Sequence, residues 1–109
     1  PILAEENIEE YLSFPRSMFK NGEYFALHVK GDSMIDGGIY DGDVAIIKKQ
    51  NTANNGDVIA ALLTDEATLK RFAMTGNKIQ LLPDNPAYEP IVAENVAILG
   101  KLIALFRKY

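Results

Sequence analysis

Turn-forming residues divide this chain into short apolar segments, and their regular spacing restricts the fold more than any other feature. Pairs such as Asn21-Gly22 and Gly37-Gly38 recur at intervals of about 8–12 residues, a spacing typical of sandwiches and barrels. No long helical period is present between them. The sequence therefore predicts a mostly β fold made of antiparallel strands.

Apolar runs between the turns give the predicted strands. The runs 58–63 and 67–72 are separated by a short reversal and should pair as a hairpin. The proline-rich stretch 82–90 is unsuited to a central strand and is predicted to be a rigid loop. Residues 2–12, ended by Pro15, fit a short helix or an irregular lead-in. The predicted strands are 24–30, 44–47, 58–63, 67–72, 79–82, 96–99 and 101–106.

The composition suits one compact domain over residues 1–109, since the chain has 109 residues of which 48% are hydrophobic. It has no cysteine and one histidine, which excludes a disulfide framework, a thiolate metal site and a His-rich site. We expect a cytoplasmic protein without metal or cofactor. The sequence has no run of about 18 apolar residues and no signal peptide pattern, so we expect neither a membrane span nor export.

The charge argues against nucleic acid as a direct partner. The formal net charge is −4 and the isoelectric point is about 4.9, whereas binding to a phosphate backbone needs clustered lysine and arginine. The basic pairs Lys48-Lys49 and Arg107-Lys108 are interpreted as solvated surface. We therefore expect that these 109 residues do not bind DNA by themselves.

Ser33 is the candidate nucleophile. Leu27 and Val29 alternate with polar residues as on a half-buried strand, which stops at Gly31 and leaves Ser33 in the turn beyond it. A serine hydroxyl needs a base to take its proton during attack. The single histidine, His28, lies on the same strand five residues earlier, so a Ser-His triad is not expected.

Lys70 is the candidate base. It lies in the predicted strand 67–72, with Thr68 and Phe72 on its own side. Burial there would disfavour the ammonium form and lower the lysine pKa. A neutral lysine beside Ser33 would form a Ser-Lys dyad.

Three motifs carry a resemblance to a known family: Gly31-Asp32-Ser33-Met34, Asp41-Gly42-Asp43 and Thr68-Leu69-Lys70-Arg71-Phe72. They resemble the self-cleaving carboxy-terminal domain of LexA-type repressors of the bacterial SOS response, a family of Ser-Lys peptidases. The resemblance runs from Pro1 to about Leu105. It implies the coiled antiparallel sheets that this family shares with bacterial signal peptidases.

The resemblance also implies roles for individual residues. Ser33 would be the nucleophile and Lys70 the base. The backbone N–H groups of Asp32 and Ser33 would form the oxyanion hole. Gly31 would permit the backbone conformation that exposes the serine, and Met34 would pack beside the cleft.

As a function, the resemblance implies one self-cleavage event at an Ala-Gly bond, expected just upstream of residue 1. A recombinase filament on single-stranded DNA would stimulate this cleavage and so inactivate the repressor. The domain would also form a homodimer through strand 98–106, which we expect at a sheet edge. Operator DNA would be bound only by an amino-terminal helix-turn-helix domain outside these residues.

Other interpretations remain open at this point. Asp41-Gly42-Asp43 lacks the spacing and closing glutamate of a calcium loop, and it is interpreted as a turn that starts a strand. A signal peptidase shares similar motifs but needs a membrane anchor. The cleavable subunit of an SOS mutagenic DNA polymerase is a nearer alternative. A dimerisation module whose dyad is vestigial is a non-catalytic alternative.

Overall fold

The computed structural model describes Phe19 and residues 21–64, 66–93 and 96–109, so the predicted lead-in 2–12 and Pro15 lie outside the described residues. Within these residues, strands account for nearly all of the regular structure, together with a 3-10 turn at Ile35–Gly37. The strands are β1 (Tyr24–His28), β2 (Val44–Lys49), β3 (Val58–Leu63), β4 (Glu66–Thr75), β5 (Lys78–Leu82), β6 (Ile91–Ala93) and β7 (Ala97–Phe106).

The strands form one seven-stranded sheet in the order β1-β2-β7-β3-β4-β5-β6, and every neighbouring pair is antiparallel. The predicted mostly β, antiparallel fold is therefore confirmed. The predicted β3–β4 hairpin is also confirmed, with Leu63 opposite Glu66 at its closed end. A second tight hairpin joins β4 to β5 and pairs Thr75 with Lys78.

The carboxy-terminal strand differs from the prediction in two ways. Instead of two strands broken at Gly100, β7 is one ten-residue strand. Its register shifts by one residue against β3 between Ala60 and Ala61, and against β2 between Ile46 and Ile47. Such bulges let a strand bend without ending, which explains why a pattern that looks interrupted belongs to one continuous strand.

The position of β7 is the second difference. It lies between β2 and β3, so the expectation of an edge strand over 98–106 is wrong for its first half. Pairing with β3 reaches only Ala97–Lys101, whereas pairing with β2 runs from Gly100 to Phe106. Among the described residues, no strand is paired with residues 102–105 on the side that faces away from β2.

Two smaller differences between the prediction and the structure concern β6 and the end of β1. The prediction missed β6, a three-residue strand that pairs with β5 after the proline-rich loop. Strand β1 ends at His28, two residues earlier than predicted. Beyond it Val29 exchanges backbone hydrogen bonds with the Gly42-Asp43 turn.

The sheet carries an apolar cluster on each face. Ala60 belongs to one cluster, while Ile59 and Ala61 belong to the other, and successive strand residues point to opposite faces. The first cluster also contains Leu27, Met34, Ile39, Ala45, Ile47 and Leu69. The second contains Phe72 and Leu81. The first cluster therefore anchors both the strand that leads to Ser33 and the strand that carries Lys70.

Candidate active site

Ser33 lies in the turn between β1 and the 3-10 turn, and the residue two positions before it has a left-handed backbone conformation. Gly31 has φ +82°, a conformation that costs little only for glycine. Its backbone N–H donates a 2.7 Å hydrogen bond to Asp41 Oδ1. Next to the serine, Met34 is buried and ties the turn to the first cluster. The serine is thus held from both sides while its own side chain is only partly buried.

Lys70 lies on β4 and is buried, with 8% of its surface exposed. Its Nζ is 3.0 Å from Ser33 Oγ, 2.7 Å from Thr68 Oγ1 and 3.1 Å from the Leu69 carbonyl oxygen. A neutral amine has two N–H donors and one lone pair. Donation to Thr68 and Leu69 uses both donors, which leaves the lone pair for the Ser33 hydroxyl.

Burial lowers the pKa of Lys70 from its ordinary value of 10.5, because desolvation disfavours the ammonium form. The nearby carboxylate of Glu66 opposes this shift by favouring the positive charge. Glu66 is itself exposed, so water weakens its field at Nζ. The environment of Lys70 therefore favours the neutral amine that a base for serine requires.

A cleft of about 180 Å³ opens beside Ser33. One wall is formed by residues 27–31 at the end of β1, and the other by residues 66–69 at the start of β4. Ser33 and Met34 complete the lining. The cleft lies between two extended stretches of backbone, so it can receive an extended peptide.

The backbone around Ser33 offers unused donors. The Ile35 N–H donates to the Asp32 carbonyl oxygen at 3.2 Å. Among the described residues, neither the Asp32 nor the Ser33 backbone N–H donates a hydrogen bond to another protein group. Both groups remain available to an oxygen bound beside the serine.

Comparison with known proteins assigns the chain to a family. The Peptidase S24-like family matches residues 1–103. The chain belongs to the S24-like peptidases. It is 52% identical over 108 residues to a LexA repressor of Caldicellulosiruptor saccharolyticus, covering 99% of this chain and 54% of that protein. It is also 52% identical over 109 residues to a LexA repressor of Bacillus velezensis, covering 98% of this chain and 53% of that protein.

A third relative gives a similar match. A LexA repressor of Thermobifida fusca is 51% identical over 108 residues, covering 99% of this chain and 43% of that protein. This S24-like chain therefore spans about half the length of the relatives it matches.

The Asp41-Gly42-Asp43 motif forms the predicted turn before a strand. Gly42 has φ +91° and β2 begins at Val44. Asp43 is almost fully buried and forms a two-point ion pair with Arg107, with both distances 2.7 Å. The hydrogen bond from Arg107 is the main cause that holds the pKa of this carboxyl below its usual range, against the opposing effect of burial. Asp43 thus joins the end of β7 to the turn.

Neither a metal cluster nor a membrane helix is found in the part of the chain that the structure describes. Within those residues no three His, Asp or Glu side chains are grouped so that they could hold an ion. None of the described segments is a helix with the length and apolar character needed to cross a membrane.

Several residues of this S24-like site were not identified from the sequence. Thr68 was placed only on the same side of its strand as Lys70, and its hydroxyl contact with the amine was missed. Asp84, Asn85 and Tyr88, all in the proline-rich loop, contact the serine turn from 50 or more residues away along the chain. Asn85 alone gave a signal, since Asn before Pro is typical of a turn. The contacts between this loop and the serine turn join residues far apart in the chain, so no local sequence pattern indicates them.

Proposed function

We propose that this chain is the carboxy-terminal self-cleavage and dimerisation domain of a LexA-type repressor of the SOS response to DNA damage. The contact between Ser33 Oγ and Lys70 Nζ, 3.0 Å long and next to an open cleft, carries the proposal. The names of the relatives support the repressor over the subunit of a mutagenic polymerase. Because the chain spans about half of those relatives, operator binding is assigned to an amino-terminal helix-turn-helix domain beyond it.

The proposed reaction is hydrolysis of an Ala-Gly peptide bond by a serine endopeptidase mechanism. Neutral Lys70 takes the hydroxyl proton of Ser33 as Oγ attacks the alanine carbonyl carbon. The carbonyl oxygen becomes negatively charged and accepts hydrogen bonds from the Asp32 and Ser33 N–H groups. The C–N bond then breaks, the Lys70 ammonium gives its proton to the departing glycine amine, and an ester remains on Ser33.

The second half of the reaction releases the ester. Lys70, neutral again, takes a proton from water as the water oxygen attacks the ester carbonyl. The carboxylic acid leaves and Ser33 recovers its proton. In an intact repressor the substrate is a loop of the same polypeptide, so the reaction occurs once for each molecule.

Regulation is proposed to act on loop docking. A recombinase filament on single-stranded DNA would stimulate cleavage by binding preferentially to the conformation with the cleavage loop in the cleft. Docking would also exclude water from the cleft and lower the pKa of Lys70 further. Loss of the amino-terminal domain would then end repression.

The test is cleavage of a supplied peptide containing Ala-Gly, measured from pH 6 to 10. The rate should rise with pH and level off once Lys70 has lost its proton. Ser33→Ala and Lys70→Ala should each reduce the rate by roughly 10³-fold or more. Lys70→Arg should be equally inactive because the guanidinium stays charged. A flat pH profile, or activity that persists in Lys70→Ala, would show that another group is the base.

A further inference from the structure

The peptide unit that links Asp32 to Ser33 is held by a residue from a distant loop. Asn85 Nδ2 donates a 2.9 Å hydrogen bond to the Asp32 carbonyl oxygen. The side chain of Asn85 is itself fixed, because its Oδ1 accepts a 2.9 Å hydrogen bond from the Ala87 backbone N–H. Asn85 is partly buried as a residue, although the hydrogen bond that it donates to Asp32 is exposed.

Holding that carbonyl determines where the Ser33 N–H points. A trans peptide unit is planar, with its C=O and N–H on opposite sides. An anchor on the Asp32 oxygen therefore fixes the direction of the Ser33 N–H, which has no protein acceptor among the described residues. A hydrogen bond to the oxygen also polarises the peptide unit and strengthens its N–H as a donor.

The side chain of Asp32 is tied to the same loop. The Tyr88 hydroxyl donates a 2.5 Å hydrogen bond to Asp32 Oδ1. The Asp36 N–H donates to the Asp84 carbonyl oxygen at 2.8 Å, and the Asp84 N–H contacts Met34 Sδ at 3.3 Å. Residues on both sides of Ser33 are thus attached to one loop.

The loop is in turn attached to the strand that carries the amine. Arg71, the residue after Lys70, forms a two-point ion pair with Asp84, at 3.2 Å and 2.6 Å. Arg71 also donates to the Gly56 carbonyl oxygen at 2.7 Å. The loop therefore has a fixed position relative to both Ser33 and Lys70.

We infer that Asn85 is a positioning residue that orients the Asp32–Ser33 peptide unit, so that its N–H can stabilise the oxyanion, and that Tyr88 supports it through Asp32. This inference rests on the proposed peptidase function and adds a role for the 82–90 loop. The hydrogen bonds of the Asn85 side chain go to Asp32 and Ala87 and not to the side chain of Ser33 or Lys70. Its effect passes through one backbone group that interacts with charge developed in the transition state.

Two substitutions at Asn85 separate this role from that of holding the loop together. Asn85→Ala removes both the donor to Asp32 and the acceptor for Ala87. Asn85→Asp keeps an oxygen acceptor for Ala87, loses the donor, and places a negatively charged oxygen opposite the Asp32 carbonyl oxygen. Removal of an oxyanion-hole donor costs about 10²–10³ in kcat, so misorientation should cost about 10- to 100-fold in both variants.

The kinetic pattern is specific to this role. The oxyanion exists only in the transition state, so kcat should fall while KM changes little. The pH at which the rate levels off should stay where it is, because Lys70 is untouched. Tyr88→Phe should show the same pattern with a loss of about 2- to 10-fold, the range of one ordinary hydrogen bond.

The amide resonance of Ser33 supplies a readout that does not need activity. It should shift in Asn85→Ala and Asn85→Asp, while amide resonances on β3 stay in place. An unchanged Ser33 resonance, full activity in Asn85→Asp, or a loss expressed only in KM would overturn the inference. Failure of the peptidase function has a different signature: Ser33→Ala would then match the wild type, and the Ser33 resonance would still decide whether Asn85 orients the peptide unit.

Discussion

At the scale of single residues, the proposed chemistry depends on the cost of burying one amine. Lys70 has no acidic partner in contact with Nζ among the described residues, only oxygen atoms of Ser33, Thr68 and Leu69. An ammonium in this position loses hydration without gaining a paired charge, which is unfavourable. Release of the proton relieves that cost. The same burial that would prepare Lys70 as the proposed base therefore reduces the stability of the folded chain near neutral pH.

Replacement of Lys70 by a neutral side chain of similar length should reveal this cost. In the folded state the pKa of Lys70 is lowered from 10.5, so the unfolded chain binds more protons between the lowered pKa and about 10.5. The free energy of unfolding therefore rises with pH through that window. Lys70→Met should be inactive and, at pH 7, as stable as the wild type or more stable, with any advantage shrinking as pH rises.

Urea denaturation at several pH values measures this difference. Lys78→Met is the matched control, because Lys78 is exposed on β5 and its replacement should give no comparable change with pH. If the difference in free energy of unfolding between Lys70→Met and the wild type stays constant between pH 7 and 10, the proposed lowering of the Lys70 pKa is contradicted.

At the scale of elements, the central strand β7 depends on a close approach to β2. Gly100 is buried and paired with Lys49 on one side and Ala60 on the other. A Cβ at this position would lie 2.2 Å from the Lys48 carbonyl oxygen and 2.6 Å from Ile47 Cγ2. No side chain larger than hydrogen fits without moving backbone. Glycine is thus required here for space.

Gly100→Ala should destabilise the chain by about 1–3 kcal/mol, the usual cost of overpacking a well-packed core. The midpoint of urea denaturation should fall accordingly. Gly56→Ala is the comparison, because its Cβ would have no neighbour within 4 Å and only the φ of +94° would cost energy. A midpoint for Gly100→Ala equal to that of the wild type would show that β2 and β7 separate easily.

The sequence predicted the β3–β4 hairpin better than the central strand, for a physical reason. Hairpins such as β3–β4 are specified locally by alternating side chains and a short reversal. The bulges of β7 depend on two partner strands at once, so Gly100 gave the signal of a break. Ser33 and Lys70 were identifiable from motifs and chain order. The contacts of Asn85 and Tyr88 exist only after the loop has folded back.

At the scale of the whole molecule, β7 links the site to an open edge of the sheet. Among the described residues, Leu102, Ala104 and Leu105 pair with β2 and with no other strand, and Ile103 and Leu105 are 39% and 37% exposed. One residue beyond the strand, Arg107 pairs with Asp43 and donates to the Gly38 carbonyl oxygen at 3.0 Å. Strand β7 thus carries the open edge and leads directly to Arg107, which contacts the segment that follows Ser33.

This open edge should pair with a second copy of the chain to form a two-fold dimer. An unpaired strand edge with exposed apolar side chains favours antiparallel pairing with its own copy, and a two-fold axis satisfies both partners equally. The edge extends β7 past the end of β3, so the dimer needs no opening of the monomer sheet. Sedimentation at tens of micromolar protein should show the dimer.

Ile103→Asp with Leu105→Asp should shift the dimer to monomer, because the paired edges would bring like charges together. Leu102 is left unchanged because it packs against the first apolar cluster. Val92→Asp, at a residue 56% exposed on β6, adds a similar charge at a distant edge and should leave the dimer intact. A monomer at all concentrations would contradict the dimer, and a dimer that survives both charges on β7 would place the interface elsewhere.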